Sequence, residues 1–216
     1  CNGQEAASAR EVAPSCAAPR VVIGSVGPGT KLITLGHVGY ADLLASYRVQ
    51  MDGLLDGGAD AILIETCQDL GQIKVAVRAA REAMAAKRRR VPLWVQATVE
   101  TTGTLLVGSD ISAVLTSVEP LGIDVLGLNC ATGPDEMHTH LQTLCEARPF
   151  RLSRLPNAGL PENRDGQVVS PPDPAAFPPN VLPPAPELGH ALRVRRCGTT
   201  HDHAPAPAPA AASRTA

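Results

Sequence analysis

A cysteine, Cys130, stands directly after the apolar run IDVLGLN (123–129), and two carboxylates hold comparable places: Glu65 closes ADAILIE (59–65) and Glu100 follows PLWVQATV (92–99). An ionised thiol is a nucleophile and a soft metal ligand, whereas a buried thiol is an inert small hydrophobe. A carboxylate at such a place can hold a substrate ammonium group or simply accept backbone N–H bonds. The residue types alone leave both roles open. After Cys130, Gly133 and Pro134 break the run and open a helix whose first turn carries Asp135 and Glu136, the charge a helix N-terminus favours.

These residues need strands to hold them, and the chain supplies a regular alternation. The apolar runs 21–27, 59–65, 92–99 and 123–129 read as strands. Between the first two, Leu43, Tyr47, Met51, Leu54 and Leu55 recur at helical spacing and stop at Gly57 or Gly58. Leu70, Ile73, Val77, Ala80 and Met84 make a second amphipathic helix, closed by the basic run 87–90, which reads as a solvated charged end. A short helix around Ile111, Leu115 and Val118 and a longer one from Pro134 to Ala147 follow, with Cys145 on the apolar side of the latter.

A strand about every 30 to 40 residues with a helix between is the rhythm of βαβ units, hence of a parallel sheet. Glu65, Glu100 and Cys130 each sit at the carboxyl end of a different strand, which suits a (β/α)8 barrel with its site on that face. GSVGPGT (24–30) lacks the spacing of a dinucleotide fingerprint. A full barrel takes about 250 residues. Four clear units and a fifth strand near 150–155 give an α/β fold of TIM-barrel type, incomplete, with about four to six βα units.

Composition narrows the classes further. The 216 residues are 44% hydrophobic but only 2% aromatic, so the core is aliphatic. A net charge of -2, from 19 basic and 21 acidic residues, gives no attraction to nucleic acid or a membrane surface. No apolar run approaches the length of a spanning helix and no secretion leader opens the chain, so a cytoplasmic setting is expected. The six cysteines, at 1, 16, 67, 130, 145 and 197, are scattered, which favours reduced thiols over a disulfide framework.

The segment GLNCATGPDEM (127–137) resembles the zinc-containing homocysteine S-methyltransferase family, and more particularly the homocysteine-binding module of cobalamin-dependent methionine synthase. The resemblance recurs at GPGTKLITLGHVGY (27–40), ILIETCQDL (62–70), VQATVETTGTLLVGSDI (95–111), PNAGLPEN (156–163) and CGTT (197–200). It divides the chain into a residual helix or linker (1–20), a partial homocysteine-binding barrel (21–162), a proline-rich divergent segment ending in CGTT (163–200) and a disordered tail (201–216). The family's opening segments have no counterpart before Cys1, so a fragment is expected.

By that resemblance, Glu65, Asn129 and Asn157 bind homocysteine, and Cys130 and Cys197 are zinc ligands. The family places two adjacent cysteines before GTT, but here the first of them is replaced by Arg196. Cys67 is a remote substitute. Zinc would bind the homocysteine sulfur and lower its pKa, supplying the thiolate that methyl transfer needs. Methylcobalamin, the implied donor, would sit on a separate cobalamin-binding module, with a folate-binding module as a further possible partner. Two functions follow: methyl transfer to homocysteine giving methionine, or a truncated, non-catalytic remnant with a broken zinc site.

Overall fold

A computed structural model describes residues 2–15, 20–130, 134–147, 151–155, 162–164, 167–169 and 192–193. Its centre is a parallel sheet of β1 (Ile23–Val26), β2 (Ala61–Cys67), β3 (Leu93–Ala97), β4 (Val125–Asn129) and β5 (Arg151–Leu155). A sixth strand, β8 (Leu192–Arg193), pairs in parallel with β5. Strands lie in the sheet in chain order with no reversal. A doubly wound sheet would reverse at a switch point, so this order is that of a singly wound barrel. The described part of the fold is thus an α/β partial barrel.

Helices α2 (Tyr40–Asp56), α3 (Leu70–Ala86), α4 (Ile111–Val118) and α5 (Pro134–Ala147) follow β1 to β4 in turn. Their apolar stripes, including Met51, Leu54, Ile73, Val77, Val114 and Leu141, form one core with Val26, Ile62, Ile64, Val95, Leu126 and Leu128 from the strands. Side chains alternate across a strand. The opposite face therefore carries Ser25, Leu63, Glu65, Gln96, Asn129 and Ser153, a far more polar set.

The termini of these elements follow from single residues. Asp69 caps α3 by accepting from Gly71 N–H at 2.7 Å and also holds Thr34 N–H at 2.9 Å, which ties the loop after β1 to the start of α3. Asp110 caps α4 by accepting from Ala113 N–H at 2.8 Å. Helix α3 ends in a Schellman closure, with Arg88 N–H bonded to Ala85 O at 3.1 Å and Arg89 N–H to Met84 O at 3.0 Å. The turning residue is Arg88, at φ 49°, where glycine would avoid a cost of about 1 kcal/mol. Arg89 donates to Leu55 O and Ala59 O, both at 2.7 Å, so the basic run is more than a solvated end: it also fastens the end of α2.

An N-terminal helix, α1 (Asn2–Val12), packs on α2 where Gly3 faces Gly53 and Gly57. A Cβ on Gly3 would lie 2.9 Å from Gly53 O, so the close crossing needs glycine. Arg10 then binds Gly58 O at 2.7 Å and the Asp60 carboxylate.

Two strands open on the same pattern, glycine and then aspartate two residues on before an apolar run, in GADAILIE (58–65) and GIDVLGLN (122–129). Both glycines have positive φ, 83° and 55°. Both aspartates accept a backbone N–H from the neighbouring strand's start, Asp60 from Val22 and Asp124 from Leu93, each at 2.8 Å. This internal repeat makes Glu65 and Asn129 equivalent positions at two strand tips, and Thr66 and Cys130 equivalent residues just beyond.

The fifth strand, expected near 150–155, is present as β5. An antiparallel hairpin, β6 (Glu162–Arg164) with β7 (Gln167–Val169), was not expected. Its signal lies in the sequence, because the pair between the strands, Asp165 and Gly166, is among the strongest two-residue hairpin signals. The proline-rich stretch 170–186 and the tail 201–216 fall outside the described residues.

Candidate active site

Glu65 is buried, 7% exposed, at the carboxyl end of β2, and the Ser25 hydroxyl on β1 donates to its Oε1. Immediately after it the β2–β3 register slips, with Ile64 opposite Val95 but Cys67 opposite Ala97. The extra residue is taken up at Thr66, whose φ is 60°. A bulge of this kind re-aims side chains. Without it Cys67, two residues on, would share Glu65's face; with it the Cys67 thiol enters the helix-side core, fully buried. Burial first, and the Asp69 carboxylate second, push that thiol up to about 12.

Cys130 takes the equivalent place just beyond β4, also in the left-handed region at φ 55°. It is partly exposed, unlike Cys67 and Cys145, which are buried. Its N–H donates to Leu155 O at 3.2 Å, fixing it to the end of β5.

One amide joins the two tips. Asn129 Nδ2 donates to Thr66 Oγ1 at 2.8 Å and to Cys130 Sγ at 3.4 Å, while Oδ1 accepts Thr66 N–H at 3.0 Å and the Thr98 hydroxyl at 3.2 Å. Thr98, just past the end of the intervening β3, also bonds the Asn129 main-chain carbonyl at 3.1 Å. Both donors and both acceptor positions of the amide are in use, and Asn129 is 1% exposed. Its side chain acts as a clamp that holds Thr66 and Cys130 in conformations L-residues resist.

Deeper in the same face, Gln96 Nε2 reaches over Gly127 to Ser153 Oγ at 3.0 Å. The reach depends on glycine: a Cβ at residue 127 would collide with the Ser153 hydroxyl and carbonyl oxygen and lie 2.9 Å from its carbonyl carbon. Glu100 receives a hydrogen bond from Gln68 at 3.5 Å, and its backbone closes the 100–104 turn, which suits a structural part.

Of the residues singled out in the sequence, Glu65 stands at the tip of β2 and Asn129 and Cys130 at the tip of β4, two strands along on the same mouth, with β3 between them. Asn157, Arg196 and Cys197 lie outside the described residues. Ser25, Thr66 and Thr98 were missed, although the repeat of 58–65 in 122–129 singles out Thr66 as Cys130's counterpart. Among the described residues no three His, Cys, Asp or Glu side chains gather as metal ligands. No helix among them is long and apolar enough to cross a membrane.

A sheet in singly wound order, helices along one face and polar side chains at the carboxyl ends define a partial barrel of the (β/α) class with its candidate site at that mouth. Solved structures agree on the fold. The homocysteine methyltransferase MmuM of Escherichia coli superposes with a TM-score of 0.63 in its oxidized form, at 23% identity, over 91% of this chain and 63% of that one. Its metallated form gives 0.59 at 21% identity. The chain belongs to the homocysteine S-methyltransferase family, whose model matches residues 1–191. It is 48% identical over 198 residues to the methionine synthase of Mycobacterium leprae, covering 90% of this chain and 16% of that protein. To the methionine synthase of Mycobacterium tuberculosis it is 56% identical over 158 residues, 72% of this chain and 13% of that one. The chain therefore spans about a sixth or less of the length of these relatives.

Proposed function

We propose that this chain is the homocysteine-binding module of a methionine synthase-like enzyme, holding homocysteine at the barrel mouth for methylation at sulfur. The observation that carries the reading is the buried Glu65 carboxylate at the tip of β2, whose next residue, Thr66, is tied through the Asn129 amide to the strand-tip thiol of Cys130. Glu65 takes the ammonium group of the amino acid, with Ser25 orienting the carboxylate. Asn129 positions the tips and leaves substrate contact to Glu65 and, from the family pattern, to Asn157. The methyl group comes from methylcobalamin on a separate module, and a folate-binding module is a further partner. Reduced thiols suit a cytoplasmic setting.

Zinc is the family's means of making the homocysteine thiolate. The donor set in this chain does not match that role. Among the described residues only Cys130 offers a thiol toward the mouth, since Cys67 faces the core with its pKa pushed up to about 12. Cys197 supplies a second sulfur in sequence, and Arg196 stands where the family has its third. The family's three-thiolate pattern is therefore not matched in this sequence, and among the described residues no metal-ligand cluster forms. A free thiol of pKa about 8.5 is only about 3% ionised at pH 7, so binding outlasts methyl transfer in this chain. That shortfall favours the second reading, a module that binds homocysteine without turning it over.

Calorimetric titration of homocysteine into wild type and Glu65→Gln separates the possibilities. Loss of one charge-assisted contact worth about 1.5–3 kcal/mol weakens binding about 10- to 150-fold. The glutamine carbonyl still accepts from Ser25, so the fold is retained. Equal binding by the two proteins, or none by wild type, refutes the reading. Zinc per chain, measured on the same preparations, decides between the catalytic and binding-only forms.

A further inference from the structure

At the other end of the sheet, where α3 leads into β3, lies a cavity of about 470 Å3, a volume typical of small-ligand sites. Met84, Val91 and Leu93 give it apolar walls. Four arginines, Arg81, Arg88, Arg89 and Arg90, line it against a single carboxylate, Asp124. Arg81 is spent on Leu121 O, and Arg89 on Leu55 O and Ala59 O. Asp124 is itself engaged by Leu93 N–H at 2.8 Å.

Arg88 and Arg90 are different. Both are exposed, and neither guanidinium makes a hydrogen bond or ion pair with any described residue. In a chain of net charge -2, two uncommitted guanidinium groups here leave the cavity strongly positive. The carbonyls at the end of α3, which would repel an anion, already accept bonds from Lys87, Arg88 and Arg89 N–H groups. Arg88 also occupies the left-handed turn position that glycine fills without strain, so the backbone accepts a cost that keeps a guanidinium on the rim.

We propose that this cavity binds a small organic anion, with Arg88 and Arg90 pairing a phosphate or carboxylate group and Met84, Val91 and Leu93 covering an apolar body. Planar guanidinium forks suit both oxyanions. The proposal is independent of the homocysteine reading, because the cavity lies at the amino-terminal ends of the strands, away from Glu65 and Cys130.

Phenyl phosphate and inorganic phosphate serve as probes, titrated calorimetrically into wild type, Arg88→Gly and Arg90→Gln at low ionic strength. Wild type binds phenyl phosphate at least fivefold tighter than inorganic phosphate, and each variant loses at least tenfold. Arg88→Gly relieves the turn, so its ligand-free melting temperature rises while its affinity falls; a misfolded variant cannot give that pairing. Homocysteine affinity stays unchanged in both. Failure of wild type to bind phenyl phosphate at millimolar concentration, equal binding by the variants, or binding of an acidic polypeptide but not of phenyl phosphate would each overturn the proposal.

Discussion

Replacing Asn129 with alanine tests how the two strand tips are held. The substitution removes four side-chain hydrogen bonds, but they are not equal. Thr98 keeps its bond to the residue 129 carbonyl, so its hydroxyl is not left unpaired. The contact to Cys130 Sγ, at 3.4 Å, is a weak one. Thr66 loses most, because both its N–H and its hydroxyl turn to this amide. An orphaned, partly buried N–H costs about 1–3 kcal/mol and a lost hydroxyl bond about 1 kcal/mol. Asn129→Ala is therefore expected to destabilise the fold by about 2–4 kcal/mol. Urea unfolding at pH 7 reads this as a lower midpoint at unchanged slope. Thr98→Val, which deletes the other partner of Oδ1, should couple to it by about 0.5 kcal/mol or more in a double-mutant cycle. A loss under about 1 kcal/mol for Asn129→Ala, or strict additivity with Thr98→Val, would mean that the tips hold themselves and the clamp is incidental.

Two further outcomes follow from the same face and its bulge. Gly127→Ala drives a Cβ into Ser153 and is expected to cost about 3 kcal/mol or more in urea unfolding, since the obstacle is backbone as well as side chain; a loss below about 1 kcal/mol would contradict the packing. Cys67 has its folded pKa raised to about 12 against about 8.5 unfolded, so its contribution is complete below about pH 8.5 and is lost as pH climbs toward 12. Between pH 7 and 9.5 this amounts to about 1 kcal/mol, a loss that Cys67→Ala should lack when the two proteins are unfolded in urea at both pH values; identical pH dependence would place the thiol elsewhere.

Much of the barrel could be read from the chain alone because strands and helices announce themselves locally. The four apolar runs became β1 to β4, and the helices begin and end close to the residues that their spacing marked. β5 gave a weaker signal, since RLSRL buries Ser153 and Arg154 and so hides its alternation. The hairpin at 162–169 went unread because the strands are only three residues each.

The site was legible to a different degree. Family blocks pointed to Glu65, Asn129 and Cys130, and all three stand at the carboxyl ends of β2 and β4, on either side of β3. Their parts were not legible, because ILIETC looks like one unbroken strand. Nothing local says that it slips by one residue against β3 just after Glu65, yet that slip turns Cys67 away from Glu65's face and into the core. Asn129, expected at the substrate, has its amide committed to Thr66, 63 residues away in sequence, and to Thr98, 31 away. Local periodicity and residue type determined where strands, helices and candidate groups lie. Register and hydrogen-bond partners were decided only in the folded sheet, because each is a property of two segments that meet after dozens of intervening residues have folded between them.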